Sequence, residues 1–417
     1  MIRKVEIKNF RILKDIKLEL KPFHILIGAN ATGKSTFLDA IALVRDVLND
    51  GIERAVEKRA FSFSDLLWDK NNPIIEINLE LQLPEDIKNI YINKNLSAYT
   101  RSRYELIIGI NRENEELQIL EERVWLKGED TPSLRETDFP LLFDDLISSK
   151  KRRRVPSNWR KVVAKSLSGN DSFWNEFNRY HSPSKTGSFK SALANLPEDN
   201  EKYPSAVWTK HKLKEGIQCL TLNSLVMRQP CHPGKKRIFE MDGSNLPIMV
   251  RELGKRSKKQ FNSWIAHLKT ALPFLQTIKV KAREEDRFLY LIIKDQNNRN
   301  IPSWLLSDGT LRILALTLLA YLPNNEGIYL IEEPENGVHP LAVEAIYQSL
   351  SSVYSGQVLV ATHSPVLLSV AKLDEILCFS RKDTGEAEII SGDKHPALKD
   401  WKGDPNLDIL YGSGVLD

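Results

Sequence analysis

Eight residues near the N-terminus have the types and spacing to hold a polyphosphate. Gly28-Ala29-Asn30-Ala31-Thr32-Gly33-Lys34-Ser35 fits G-x-x-x-x-G-K-[S/T] with no mismatch. Glycines let main-chain N–H groups wrap phosphate oxygens, Lys34 reaches the β- and γ-phosphates, and the Ser35 hydroxyl ligates Mg²⁺ at a helix N-terminus. The apolar run Phe23-His24-Ile25-Leu26-Ile27 precedes the loop, and Phe37, Ala40, Ile41, Val44 and Leu48 follow it at helical spacing. A strand before and a helix after are the context this chemistry requires. Asn30, Ala31, Thr32, Gly33 and Thr36 join Gly28, Lys34 and Ser35 as candidate nucleotide contacts.

Three further clusters lie far along the chain. Ile328-Tyr329-Leu330-Ile331-Glu332-Glu333 is an apolar strand ending in paired carboxylates. Glu332 is the candidate metal-side carboxylate, and Glu333 the candidate general base that orients water. Leu306-Ser307-Asp308-Gly309-Thr310 precedes a helix that begins at Leu311. Such a turn offers a hydroxyl, N–H groups and the positive end of a helix to an anion, and it also reads as a simple turn with a cap. Val360-Ala361-Thr362-His363-Ser364-Pro365 places His363 after another apolar strand, at the sheet edge where α/β folds bind ligands, as a candidate γ-phosphate sensor.

The elements that must position these residues show as periodicity. Lys4–Ile7 and Ile16–Leu20 alternate as strands, and strand signals return at Ile74–Leu83, Tyr104–Ile110 and Leu117–Trp125. From about Lys127 to Leu272 the chain turns polar, with Pro, Trp and basic clusters. Trp159–Ala164 and Phe261–Ala271 read there as short amphipathic helices, so this region is expected to be a mostly helical insertion. After it come a strand at Phe288–Ile293, a helix at Leu311–Tyr321, a strand at Ile328–Ile331, a helix at Ala342–Val353 and a strand at Val358–Ala361. Alternation of this kind predicts a largely parallel sheet flanked by helices, completed by both ends of the chain around the insertion.

Composition bounds the setting. Over 417 residues, 41% hydrophobic and 27% charged is that of a soluble globular protein. No apolar run reaches the roughly 18 residues of a membrane span, and the N-terminus lacks the apolar core of a secretory signal. Three scattered cysteines form neither a disulfide framework nor a metal-binding pair, which points to a reducing cytoplasm. The net charge is only +4, but Lys150-Lys151-Arg152-Arg153-Arg154, Arg160-Lys161 and Lys255-Arg256-Ser257-Lys258-Lys259 are clustered. Such runs can neutralise DNA or RNA phosphates, or form a solvated face. The tail from Lys399 to Asp417 reads as a strand and turn that closes the core, or as a docking tail for a partner.

Taken together and in this order, the four clusters resemble the ABC-type ATPase heads of the SMC, RecF and OLD proteins. Gly28–Ser35 matches Walker A, Leu306–Thr310 the signature motif, Ile328–Glu333 Walker B and His363 the switch histidine. Glu335-Asn336-Gly337-Val338-His339-Pro340 looks like the D-loop of the bacterial branch near OLD and RecF. The sequence departs from the pattern at Ala31, where glycine is usual, and at Glu332, where aspartate is commoner. Asp308 and Thr310 follow the OLD-like form of the signature.

This resemblance implies an α/β, ABC-type P-loop NTPase head with an antiparallel β-subdomain and a mostly helical insertion. Residues 1–126 and 273–417 would form the two halves of the head, and 127–272 the insertion. ATP and Mg²⁺ are the implied cofactors, and hydrolysis of ATP to ADP and phosphate the implied reaction. It further implies a head-to-tail homodimer with ATP sandwiched between Walker A of one chain and Ser307, Asp308 and Gly309 of the other. The expected role is a switch controlling a separate effector, a nuclease or toxin in bacterial anti-phage defence. The alternative is a RecF- or SMC-like DNA-binding ATPase in repair or maintenance. About fifty residues follow His363, fewer than the ~100 of a typical domain, so a Toprim nuclease of the OLD kind is not expected to follow.

Overall fold

The computed structural model describes residues 1–94, 99–128, 158–323 and 325–398. The basic run Lys150–Arg154 and the tail from Lys399 to Asp417 lie outside the described residues. The N-terminal segment runs through β1 (Ile2–Phe10), β2 (Leu13–Glu19), β3 (Phe23–Ile27) and helix α1 (Lys34–Asp50). The chain divides into two compact units. One comprises Met1–Lys21, Asn30–Ile217 and Ser380–Ile389, and the other Pro22–Ala29, Gln218–Phe379 and the residues from Ile390.

The first unit is built on an eight-stranded antiparallel sheet. Besides β1 and β2 it contains β4 (Ile74–Gln82), β5 (Arg101–Ile110), β6 (Leu117–Lys127), β7 (Trp159–Lys165), β8 (Asn170–Trp174) and β9 (His181–Lys185), in the order β2-β1-β4-β5-β6-β7-β8-β9. Register brings Val5 beside Leu79 and Ile7 beside Ile77, all buried, so the period-two pattern makes one apolar face. The opposite face is charged yet also buried. Arg103 on β5 donates to Glu6 at 2.6 Å, to Glu105 at 2.8 Å and to Glu80 at 3.2 Å. Three carboxylates around one guanidinium give a buried charge the partners it requires.

Helices α1, α2 (Ile52–Glu57), α3 (Glu85–Asn93) and α4 (Pro204–Lys214) complete this unit. Phe37, Ala40, Ile41, Val44 and Leu48 of α1 are all buried, as their spacing predicts. Arg59 fastens α1 from outside, donating to Asp39 at 2.7 Å and to Asp46 at 2.8 Å.

The expected helix at Trp159–Ala164 is instead strand β7. It pairs antiparallel with β6, Val163 opposite Val124 and Lys161 opposite Trp125. Val162 and Val163 are fully buried, and adjacent β-branched residues favour a sheet that already offers an edge. The first part of the supposed helical insertion therefore continues the sheet through β7, β8 and β9. Its helices come later, and residues on either side of Ile217 belong to different units.

The second unit holds the mostly parallel sheet. Its strands are β10 (Ile217–Leu220), β14 (Ile328–Glu332), β15 (Gln357–Ala361), β3 and β16 (Ile376–Arg381), adjacent in that order. β14, β15, β3 and β16 run parallel, so a strand from the N-terminal segment lies among C-terminal ones. A separate antiparallel sheet of β11 (Leu275–Ala282), β12 (Leu289–Asp295) and β13 (Asn300–Pro302) belongs to the same unit. The helices are α5 (Ser224–Met227), α6 (Leu246–Arg256), α7 (Lys258–Ala271), α8 (Asp308–Leu318), α9 (Pro340–Ser351) and α10 (Pro365–Ser369). One apolar core joins Ile25 of β3, Ile331 of β14 and Val360 of β15 to Trp264 of α7, Leu314 of α8 and Ile346 of α9. Trp264, fully buried, donates its indole N–H to Thr317 Oγ1 at 3.0 Å, which meets the polar need of a buried tryptophan. No helix among the described residues is long and apolar enough to cross a membrane.

Candidate nucleotide site

The glycine loop leaves β3 at Gly28 and turns through left-handed backbone at Ala31, φ 64°, and Gly33, φ 108°. Gly33 is the N-cap of α1. The left-handed φ favours glycine, and a Cβ there would also meet Ile12 Cδ1 closely, at 3.0 Å. Ala31 takes the left-handed turn with a side chain, at a cost of roughly 1–2 kcal/mol. Helix α1 has no side-chain cap and no acidic residue in its first turn. Its positive end therefore faces the loop without a carboxylate of its own, which suits a bound anion. Lys34 and Thr32 are buried, while Asn30, Ala31 and Ser35 are exposed and Thr36 half-buried.

Parallel register sets the other half of the chemistry on one edge. Glu332 lies opposite Ala361, and Ala361 opposite Leu26. The residues that follow these three, Glu333, Thr362 and Ile27 with Gly28, leave the sheet from the same edge. Glu333 N–H donates to the Ala361 carbonyl at 2.8 Å, and Thr362 N–H to the Leu26 carbonyl at 3.1 Å. Glu333 has φ 46°, a left-handed conformation that a glutamate rarely adopts and that functional sites tolerate. Its carboxylate accepts a hydrogen bond from the Asn336 amide.

His363 is half-buried and bracketed by its neighbours. The Thr362 hydroxyl donates to Glu335 and accepts from Ser364 N–H at 2.9 Å. Ser364 in turn caps α10 by accepting from Leu367 N–H. The second carboxylate oxygen of Glu335, Oε2, is buried and has no protein hydrogen-bond partner.

Ser307, Asp308 and Gly309 form a second group. Ser307 is the N-cap of α8, accepting from Thr310 N–H at 3.2 Å with its hydroxyl 2.8 Å from that of Thr310. Asp308 pairs with Arg228. Gly309 packs against the main chain of Gly337. The turn Glu333–Gly337 thus runs from the acidic strand end to the start of α8, so the two groups are joined through one short segment.

Sequence reasoning singled out neither Thr362 nor Arg228. Thr362 could have been read from its place, a hydroxyl residue between an apolar strand and a histidine. Arg228 carries no local signal, because its partner Leu306 is 78 positions away.

Residues 23–369 match the family described as "AAA domain, putative AbiEii toxin, Type IV TA system". The chain belongs to that family. This AAA domain is 24% identical to the OLD nuclease of Thermus scotoductus over 399 residues, which is 94% of the chain and 64% of that protein. It therefore spans less than two thirds of that relative. It is also 24% identical to "Retron Vc95 probable ATPase" of Vibrio cholerae over 397 residues, covering 90% of the chain and 72% of that protein. Among solved structures, the SMC head bound to the C-terminal winged-helix domain of ScpA superposes with a TM-score of 0.50 at 14% identity, covering 94% of this chain and 98% of that one. The AAA domain thus shares the fold of the SMC head.

Proposed function

We propose that this AAA domain hydrolyses ATP, and that its ATP-bound form holds two copies head to tail as a switch on a separate effector. The observation that carries the reading is the shared edge of β14, β15 and β3. There Glu333, in left-handed backbone, and His363 leave the sheet beside the strand that feeds the glycine loop. A carboxylate at the end of a buried strand, next to a phosphate-binding loop, is the arrangement that orients water for attack on a γ-phosphate. The residues also fit the implied metal. Ser35 and Glu332 are exposed oxygen donors, the donor type that Mg²⁺ prefers. Bound there, Mg²⁺ would neutralise charge on the β- and γ-phosphates.

In this reading Lys34 and the N–H groups of residues 28–36 hold the phosphates. Glu333 takes the proton of the attacking water, and His363 contacts the γ-phosphate. Ser307, Asp308 and Gly309 of the second copy complete the site, so ATP satisfies donors from both chains and its hydrolysis releases them. A two-fold arrangement of this kind is the commonest oligomer symmetry. The names of the relatives support an effector of the nuclease or toxin kind and a role in anti-phage defence.

The test is sedimentation velocity of the Glu333→Gln protein with and without ATP and Mg²⁺, alongside phosphate release. The reading requires a dimer that forms only with ATP, and turnover reduced by at least ~100-fold. A variant that binds ATP yet remains monomeric contradicts it.

A further inference from the structure

Arg228 lies outside every motif used above. It is the C-cap of α5, within the polar stretch that separates the glycine loop from the signature. Its guanidinium donates to the Leu306 carbonyl twice, from Nε at 3.1 Å and from Nη2 at 2.9 Å, and also pairs with the Asp308 carboxylate. Its own carbonyl accepts from Ser303 Oγ at 3.2 Å. Both ends of the segment Ser303–Asp308 are therefore fastened to a single residue. Ser307 sits between the two groups that the guanidinium grips.

On its other side the same turn is held by Gly309 against Gly337. Between α5 and α8 lies an open groove of about 480 Å³, lined by Thr221–Leu225, Asp308, Arg312, Asn336 and Gly337. Met227 of α5 shares the apolar core with Leu311 and Leu314 of α8, and beside the open groove the polar grip of Arg228 adds a second tie between the two elements. A planar guanidinium can address a carbonyl and a carboxylate at once, which an ammonium on a flexible stem does less well. An exposed ion pair adds little to stability. What this one fixes is the direction of the Ser307 hydroxyl and of the first N–H groups of α8.

We infer that Arg228 is a positioning residue: it presents Ser307 and the start of α8 to the nucleotide held by a second copy, so that the placement of α5 sets how readily two copies close. The inference rests on the head-to-tail reading of Ser307 given above. A signal reaching α5 through the inserted stretch would then act on closure without touching the glycine loop.

The test uses the Glu333→Gln protein as parent and adds Arg228→Ala, Arg228→Lys or Asp308→Asn. Two quantities are read: the affinity of each protein for a fluorescent ATP analogue at dilutions where it is monomeric, and the ATP concentration that gives half dimer. Arg228→Ala should keep monomer affinity within about twofold while raising the half-dimer concentration about tenfold or more, the loss expected when charged hydrogen bonds are removed. Arg228→Lys should fall between Ala and parent, and Asp308→Asn should give a smaller, severalfold rise. Closure by Arg228→Ala at the parent's ATP concentration overturns the inference. So does loss of monomer affinity, or Lys behaving no better than Ala. If melting shows that Arg228→Ala does not fold, Arg228→Lys decides by the same two readouts. A parent that stays monomeric with ATP overturns the head-to-tail reading itself, and this inference with it.

Discussion

Gly309 and Gly337 meet main chain to main chain: a Cβ on Gly309 would lie 2.3 Å from the Gly337 carbonyl oxygen. The two glycines are needed for different reasons. Gly309 lies in helical backbone at the start of α8 and needs the space, whereas a Cβ on Gly337 would meet nothing within 4 Å but its φ of 74° disfavours any side chain. Gly309→Ala should therefore push α8 from the acidic turn and lower stability by about 1–3 kcal/mol, the cost of overpacking. ATP-dependent dimerisation should fail while monomer ATP affinity holds. Gly337→Ala should cost about 1–2 kcal/mol through strain alone. Urea midpoints for both variants check the pair, and an unchanged midpoint for Gly309→Ala would show that the contact yields easily.

The loop carries a side chain where its backbone prefers none. Ala31→Gly removes a left-handed strain of roughly 1–2 kcal/mol and adds unfolded-chain entropy of about 0.5–1 kcal/mol. The net expectation is a protein more stable by a few tenths to about 1 kcal/mol. Differential scanning calorimetry without nucleotide measures it. A lower melting temperature would mean that Ala31 gains compensating contacts.

Thr362 is fully buried, and its hydroxyl both donates to Glu335 and accepts from Ser364. Thr362→Val keeps the shape but leaves the Ser364 N–H without this acceptor, so a loss of about 1–3 kcal/mol is expected. Because these bonds bracket His363, kcat should fall more than ATP affinity, and Thr362→Ser should restore both. Steady-state phosphate release beside equilibrium ATP binding separates the two effects. Equal losses in kcat and affinity would argue for a general structural role.

The acid limb of stability should report on the buried charges of the first unit. Burial works to raise the Glu6 carboxyl, but Arg103 and then Lys4 outweigh it and bring its pKa down to about 2 from an ordinary 4.5. A carboxyl held low in the folded chain contributes stability that is complete above the unfolded value and is lost as pH falls toward the folded one. The difference in urea midpoint between the wild-type protein and Glu6→Gln should thus shrink between pH 4.5 and about 2. A difference that stays constant across that window would remove Glu6 from the acid transition.

Much of the site was legible because its chemistry is local. Glycine spacing, Lys34 and the strand–loop–helix context mark the glycine loop, and apolar runs ending in polar residues mark β3, β14 and β15. A mostly parallel sheet completed by both ends of the chain follows from alternating strands and helices, whereas the pairing of β3 with β15 is visible only in the register. What stayed hidden depends on distant partners. Trp159–Lys165 is a short mix of apolar and basic residues that either period can accommodate, and only β6 decides for a strand. The left-handed turn at Glu333 leaves no mark in residue type. Arg228 acquires meaning only from a carbonyl across the fold.

His24 of β3 hydrogen-bonds the carbonyl of Glu375, 351 positions later. With synthesis at ~5–20 residues per second, the strand that feeds the glycine loop would wait roughly 20–70 s on the ribosome before its neighbours exist. During that interval an apolar segment is without its sheet. The nucleotide site would thus be among the last parts of this protein to be assembled.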